Sequence, residues 1–182
     1  MLKASYRFCL LFMLIPFLFA CSEQTDVTGS VVGENSAVAS KAIGTGELEQ
    51  ITLDVYKSPT CGCCGKWVDH MAERGFSLTT HHPTDLYQVK RDKGIALDNQ
   101  SCHTAVSAEG YVFEGHIPAR YVQQFLDNPP AGARGLVVPA MPVGSPGMEV
   151  EDRFMPYDVL LLKEDGSMEV FVKVTSSQQQ YE

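Results

Sequence analysis

Three cysteines within four residues, Cys61-Gly62-Cys63-Cys64, stand where a strand-like stretch gives way to a helix-like one. No other feature narrows the fold as much. Upstream, Ile51, Leu53 and Val55 alternate with Thr52, Asp54 and Tyr56 as in a half-buried strand, until Lys57-Ser58-Pro59-Thr60 interrupts it. Downstream, Cys64, Trp67, Val68 and Met71 form one apolar stripe of a helix predicted over Gly62 to Arg74, with Gly75 as its stop. The thiols therefore open a helix, where unpaired N–H groups and partial positive charge favour thiolate. Thiolate is the nucleophile of disulfide exchange and also a ligand for soft metals, so two chemistries stay open.

Cys61 and Cys64 form a CxxC pair, the pattern of a thioredoxin-like redox centre after a strand. Cys63 complicates that reading: it offers any disulfide a rival partner, whereas for a metal it adds a bridging soft ligand. A purely structural disulfide would be a poor staple, because so short a loop has little closure entropy to remove. A structural zinc module is a third reading, weakened by the lack of a second CxxC or HxxxH. Beyond residue 21 the only other cysteine is Cys102.

The rest of the pattern is mixed α/β. Phe76 to Thr80 reads as a second strand, and Asp85 to Lys93 as a short helix capped by Thr84 and ended by Gly94. His103 to Ala108 and Tyr111 to Glu114 read as a hairpin turning on Glu109-Gly110. Pro118 suits the first turn of a third helix whose apolar face is Val122, Phe125 and Leu126 and which Pro129-Pro130 halts. Residues 129 to 148, rich in Pro and Gly, read as one long irregular loop, and a loop of that length usually covers something. Tyr157 to Leu162 and Met168 to Val174 make a final hairpin around Glu164-Asp165-Gly166-Ser167, and the tail from 177 to 182 is expected to fray.

The start of the chain is read separately. Lys3 and Arg7 precede an apolar run from Leu10 to Ala20, 11 residues that are too few to span a bilayer. Ala20 before Cys21 is similar to a bacterial lipoprotein signal, which implies cleavage after residue 20, lipid on Cys21, and residence in the cell envelope facing the periplasm. Ser22, rather than Asp, favours the outer membrane. Residues 21 to 48, without aromatics and rich in small residues, read as a tether reaching roughly 30 Å, with an added strand near Val27 to Val32 as the alternative. The working domain is then 49 to 176. A net charge of −8 with no Lys/Arg block argues against a nucleic-acid partner, and 45% hydrophobic residues suffice for a core.

Four motifs occur in order: Cys61-Gly-Cys-Cys-Gly-Lys-Trp67, Ser101-Cys-His-Thr-Ala105, Glu114-Gly-His-Ile-Pro118 and Val138-Pro-Ala-Met-Pro-Val-Gly-Ser-Pro-Gly-Met-Glu149. This stretch resembles the CopG-type copper resistance proteins of the bacterial envelope. The resemblance implies a thioredoxin-like fold, with a central mixed sheet, flanking helices and a C-terminal β-hairpin. It also implies copper held by Cys61, Cys63, Cys64 and Cys102, and a role in sequestering copper or cycling it between Cu(I) and Cu(II). Bridging by Cys63 and Cys64 would allow more than one Cu(I) ion. Other copper-handling envelope proteins are the expected partners. The alternative is a thiol-disulfide oxidoreductase in which Cys61 attacks and Cys64 resolves.

The remaining donors divide by position. In the fold the resemblance implies, His116 lies in a loop closing over the active end of the first helix and is a candidate copper ligand. His103, continuing a regular strand, should point away from Cys102 and be structural. His70 lies about 10 Å along the helix from Cys63 and reads as structural or solvent-facing. His81-His82 read as a solvated strand end, with an accessory copper site as the alternative. Met141 and Met148 read as cover for the long loop, or as a thioether path for incoming copper, and Trp67 as core.

Overall fold

The pairing registers explain why the strands stack as they do. Val55 lies opposite Ala105, Ala105 opposite Phe113, Phe113 opposite Leu136, and Leu136 opposite Leu161. One apolar row therefore runs across five strands on a single face, as the period of two requires. In this computed structural model, which describes residues 50–181, the elements run β1 (Thr52–Lys57), α1 (Gly62–Ala72), β2 (Ser77–His81), α2 (Leu86–Asp92), β3 (His103–Ser107), β4 (Val112–Glu114), α3 (Ala119–Asp127), β5 (Ala133–Val137), β6 (Tyr157–Lys163) and β7 (Met168–Val174). They form one mixed sheet in the order β2-β1-β3-β4-β5-β6-β7, with β1/β2 and β4/β5 parallel and the other pairs antiparallel.

Helices cover both faces. On the face of Ala105 and Phe113, α1 contributes Trp67 and Met71 and α3 contributes Phe125, all fully buried. The Phe113 and Phe125 rings meet edge to face at 5.6 Å. The opposite face carries Thr104 and Glu114, which are paired across β3 and β4 and lie beneath α2. The expected α/β fold, with its central mixed sheet, flanking helices and C-terminal hairpin, is present, in an arrangement compatible with a thioredoxin-like one.

Three expectations are corrected. The long loop contains β5, whose Leu136 and Val137 are fully buried; its flanking Pro and Gly masked a five-residue strand. The cap of α2 is Asp85, whose carboxylate accepts the Gln88 N–H at 2.8 Å, rather than Thr84. The tail does not fray: Gln180 is fully buried, donates to the Gly144 carbonyl at 2.9 Å and accepts the Tyr157 hydroxyl at 2.6 Å. Helix α1 ends at Ala72, and the turn that follows is completed by Gly75 at φ +88°, a conformation that favours glycine. The signal at 1–20, the lipidation site Cys21, the tether at 21–48 and its alternative strand lie outside the described residues.

Candidate metal centre

The site begins where β1 delivers the chain to the start of α1. Cys61 is the N-cap of that helix, and its sulfur accepts the Cys64 N–H at 3.4 Å. Cys61 and Cys64 are joined as a disulfide, whereas Cys63 and Cys102 are free. The Cys61 and Cys63 sulfurs are 3.5 Å apart. Cys102 arrives from the turn just before β3, and all four sulfurs lie within 4.8 Å of one another. The structure thus brings together the four cysteines singled out in the sequence, two of them in the oxidised state.

Imidazoles flank Cys102. His116 Nε2 is 2.9 Å from the Cys102 sulfur, and its Nδ1 is 2.7 Å from the Pro146 carbonyl. A carbonyl can only accept, so Nδ1 carries the proton and the Nε2 lone pair faces the thiol. His103 also approaches, with Nδ1 3.4 Å from the same sulfur. The expectation that His103 would point away is corrected: Cys102 lies before β3 begins, so strand alternation does not govern the pair. His103 stands between Trp67, at 4.4 Å between ring centres, and His116, at 5.0 Å. Its Nε2 is buried without a partner. Cys102, His103 and His116 form a second cluster of donors within 4.8 Å, sharing Cys102 with the first.

Electrostatics keep this cluster neutral. Burial, then the neighbouring Cys63 sulfur, pushes the Cys102 thiol up to about 12. Burial, reinforced by His116, Lys90 and Lys57, holds His103 well below the ordinary histidine value, and burial also lowers His116 against the pull of the Pro146 carbonyl. Neutral imidazoles present lone pairs, and a thiol at rest yields its proton when a soft cation replaces it.

The loop after β5 forms the outer wall. Ser101 donates its hydroxyl to the Ala140 carbonyl, Pro146 holds His116, and Gly147 packs on the backbone of Cys63 and Trp67. Met141 is exposed and Met148 half-buried in this wall. Trp67 is core as expected, its indole N–H donating to the Ile117 carbonyl at 2.8 Å. Sequence reasoning missed the Pro146 carbonyl, the approach of His103, and a buried network of Lys90, Thr104 and Glu114 behind Cys102. Only the inward spacing of Lys90 from Leu86 and Val89 hinted at that network.

The other histidines serve elsewhere. His81 Nε2 meets Asp54 at 2.7 Å and His82 Nδ1 faces the Lys57 carbonyl at 3.0 Å; neither belongs to a donor cluster among the described residues. His70 is buried and accepts the Ala119 N–H at 3.1 Å, binding α1 to the first turn of α3. Burial, aided by Arg74, lowers it from 6.5 to about 4. The folded state thus disfavours the proton, so the stability it protects is whole above pH 6.5 and is lost as pH falls towards 4. In urea unfolding at stepped pH, about 2 to 3 kcal/mol should disappear across that window. His70→Gln should flatten that part of the slope, and an unchanged slope would refute the assignment.

An α/β domain that gathers four sulfurs at a helix N-terminus, with two imidazoles beside them, is in class a thiol-cluster protein for soft-metal or redox chemistry. Residues 99–148 match a family described as "Protein of unknown function, DUF411". No curated protein matches. Two solved structures are similar, both named copper resistance protein CopG. Form 2 is 38% identical over 69% of this chain and 99% of that one, with a TM-score of 0.66. Form 1 is 38% identical over 69% and 98%, with a TM-score of 0.65. The chain belongs to the CopG family.

Proposed function

We propose that this domain binds copper through Cys61, Cys63, Cys64 and Cys102, with His116 beside them, and contributes to copper resistance by sequestering the metal or cycling it between Cu(I) and Cu(II). The carrying observation is the convergence of four sulfurs within 4.8 Å, a donor set suited to soft Cu(I) and able to bridge several ions. Two solved relatives are named copper resistance proteins. The lipoprotein-like start supports work at the cell envelope, anchored through Cys21, facing the periplasm and the copper-handling proteins there, with the outer membrane favoured.

The Cys61–Cys64 disulfide adds a condition. An external dithiol opens it by giving two electrons and two protons and becomes a disulfide itself, and only then can all four sulfurs act as thiolates. Anaerobic titration with Cu(I) against a competing chelator tests the reading: reduced protein should bind tightly and disulfide-closed protein more weakly. Equal binding by the two forms would remove the four-sulfur site.

The same disulfide favours one rival reading, a thiol-disulfide oxidoreductase. Such an enzyme should reduce insulin in metal-free buffer, lose that activity with Cys61→Ser and tolerate Cys63→Ser. A copper site should instead lose binding with either change.

A further inference from the structure

Behind Cys102, on the α2 face of the sheet, a lysine and a glutamate are paired out of reach of water. Lys90 Nζ meets Glu114 at 2.6 Å, with side-chain exposures of 2% and 0%. Lys90 also donates to Thr104 Oγ1 at 3.0 Å, and Thr104 donates to the other Glu114 oxygen at 2.6 Å. Removing two charges from water costs about as much as their pairing returns, and a well-packed apolar pair would often be no worse. Stability alone is therefore a weak reason for an ion pair on this face.

What an apolar pair could not supply is the remaining contact. The Glu114 oxygen that receives Lys90 also accepts the backbone N–H of Ser101 at 2.6 Å. Ser101 precedes Cys102 in a segment with no strand partner of its own, because β3 begins only at His103. Glu114 is likewise two residues before His116, across Gly115 at φ +83°. One carboxylate thus grips the chain on both sides of the Cys102 and His116 contact. Lys90 fixes its orientation from α2, and Thr104 fixes it from β3.

We infer that Lys90 and Glu114 are positioning residues that hold Cys102 against His116 and the α1 thiols; the inference rests on the reading of Cys102 as a copper ligand. Supporting residues of this kind govern metal affinity through the ligands they orient.

The test compares Lys90→Met/Glu114→Leu, which removes the charges together and deletes the acceptor, with Lys90→Met/Glu114→Gln, which keeps an acceptor oxygen for Ser101. The wild type and each variant are made with and without Cys102→Ser, and Cu(I) affinity of the reduced protein is measured beside urea unfolding. The Met/Leu variant should fold and bind roughly 10- to 100-fold more weakly. The Met/Gln variant should recover most of that loss. Adding Cys102→Ser to Met/Leu should cost little more, because that ligand is already misplaced. Wild-type affinity in Met/Leu, failure of Met/Leu to fold, or a full additional loss on adding Cys102→Ser would each overturn the inference. Cys102→Ser binding like the wild type would instead overturn the ligand assignment beneath it.

Discussion

Cu(I) binding by the reduced protein should weaken by more than the roughly 10- to 100-fold that loss of a supporting residue costs when Cys61 is replaced by serine. Serine is a good N-cap, and its hydroxyl can accept the Cys64 N–H that the Cys61 sulfur accepts at 3.4 Å. The start of α1 should therefore stay folded while one soft ligand becomes a hard oxygen with little affinity for cuprous ion. Removing the Cys61–Cys64 bond should also change stability little, since the pair is separated by only 3 residues in sequence and so short a loop restrains the unfolded chain weakly. Binding and folding are thereby separable in this variant. Cys64→Ser should behave alike in binding, though its fully buried sulfur exposes it to a packing cost as well. Unchanged Cu(I) stoichiometry in both variants would end the copper reading.

The parts of the fold that could be read in advance are those where local periodicity and burial agree. The alternation of Ile51 to Tyr56 became β1, and the Trp67 and Met71 stripe became the buried face of α1. β5 was hidden because Leu136-Val137-Val138 is too short a run to outweigh the surrounding Pro and Gly, and because its partner β6 begins 20 residues after it ends. By composition Gln180 belongs to a polar tail expected to fray; its burial depends on the Gly144 carbonyl and the Tyr157 hydroxyl, partners that only the folded chain brings near.

The thiols were legible because their chemistry lies in neighbouring residues at a strand-to-helix junction. Cysteine counting singles out Cys102, but only the family resemblance makes it and His116 ligands of the same site, since 38 residues separate Cys102 from Cys64. Strand alternation predicts the wrong side for His103 because Cys102 lies one residue before β3 begins. The spacing of Lys90 from Leu86 and Val89 is a weak local mark, and the motif that contains Glu114 does not reveal that the carboxylate is buried and paired. A sequence gives the sign of a charge but not a partner 24 residues away, and burial of both depends on α2 lying across β3 and β4.

Gly147→Val should be the most damaging single change in the outer wall. Gly147 has φ +85°, and a Cβ there would come within 2.6 Å of the Cys63 carbonyl and 2.9 Å of the Trp67 N–H. Both atoms belong to the backbone of α1, so no side chain can rotate out of the way. Positive φ for a β-branched residue and a forced clash together should cost about 4 kcal/mol. The loop can relieve the clash only by lifting from α1, and Pro146 would then leave His116 Nδ1, now 2.7 Å away. With that acceptor gone, His116 could exchange tautomers and its Nε2 lone pair would no longer be fixed toward Cys102. Weaker Cu(I) binding should therefore accompany the lower urea midpoint. Gly65→Ala is the matched control: a Cβ there meets nothing within 4 Å, and within α1 it should add about 0.5 to 1 kcal/mol of stability. If Gly147→Val left both the midpoint and Cu(I) affinity unchanged, the wall could not be what holds His116 in place.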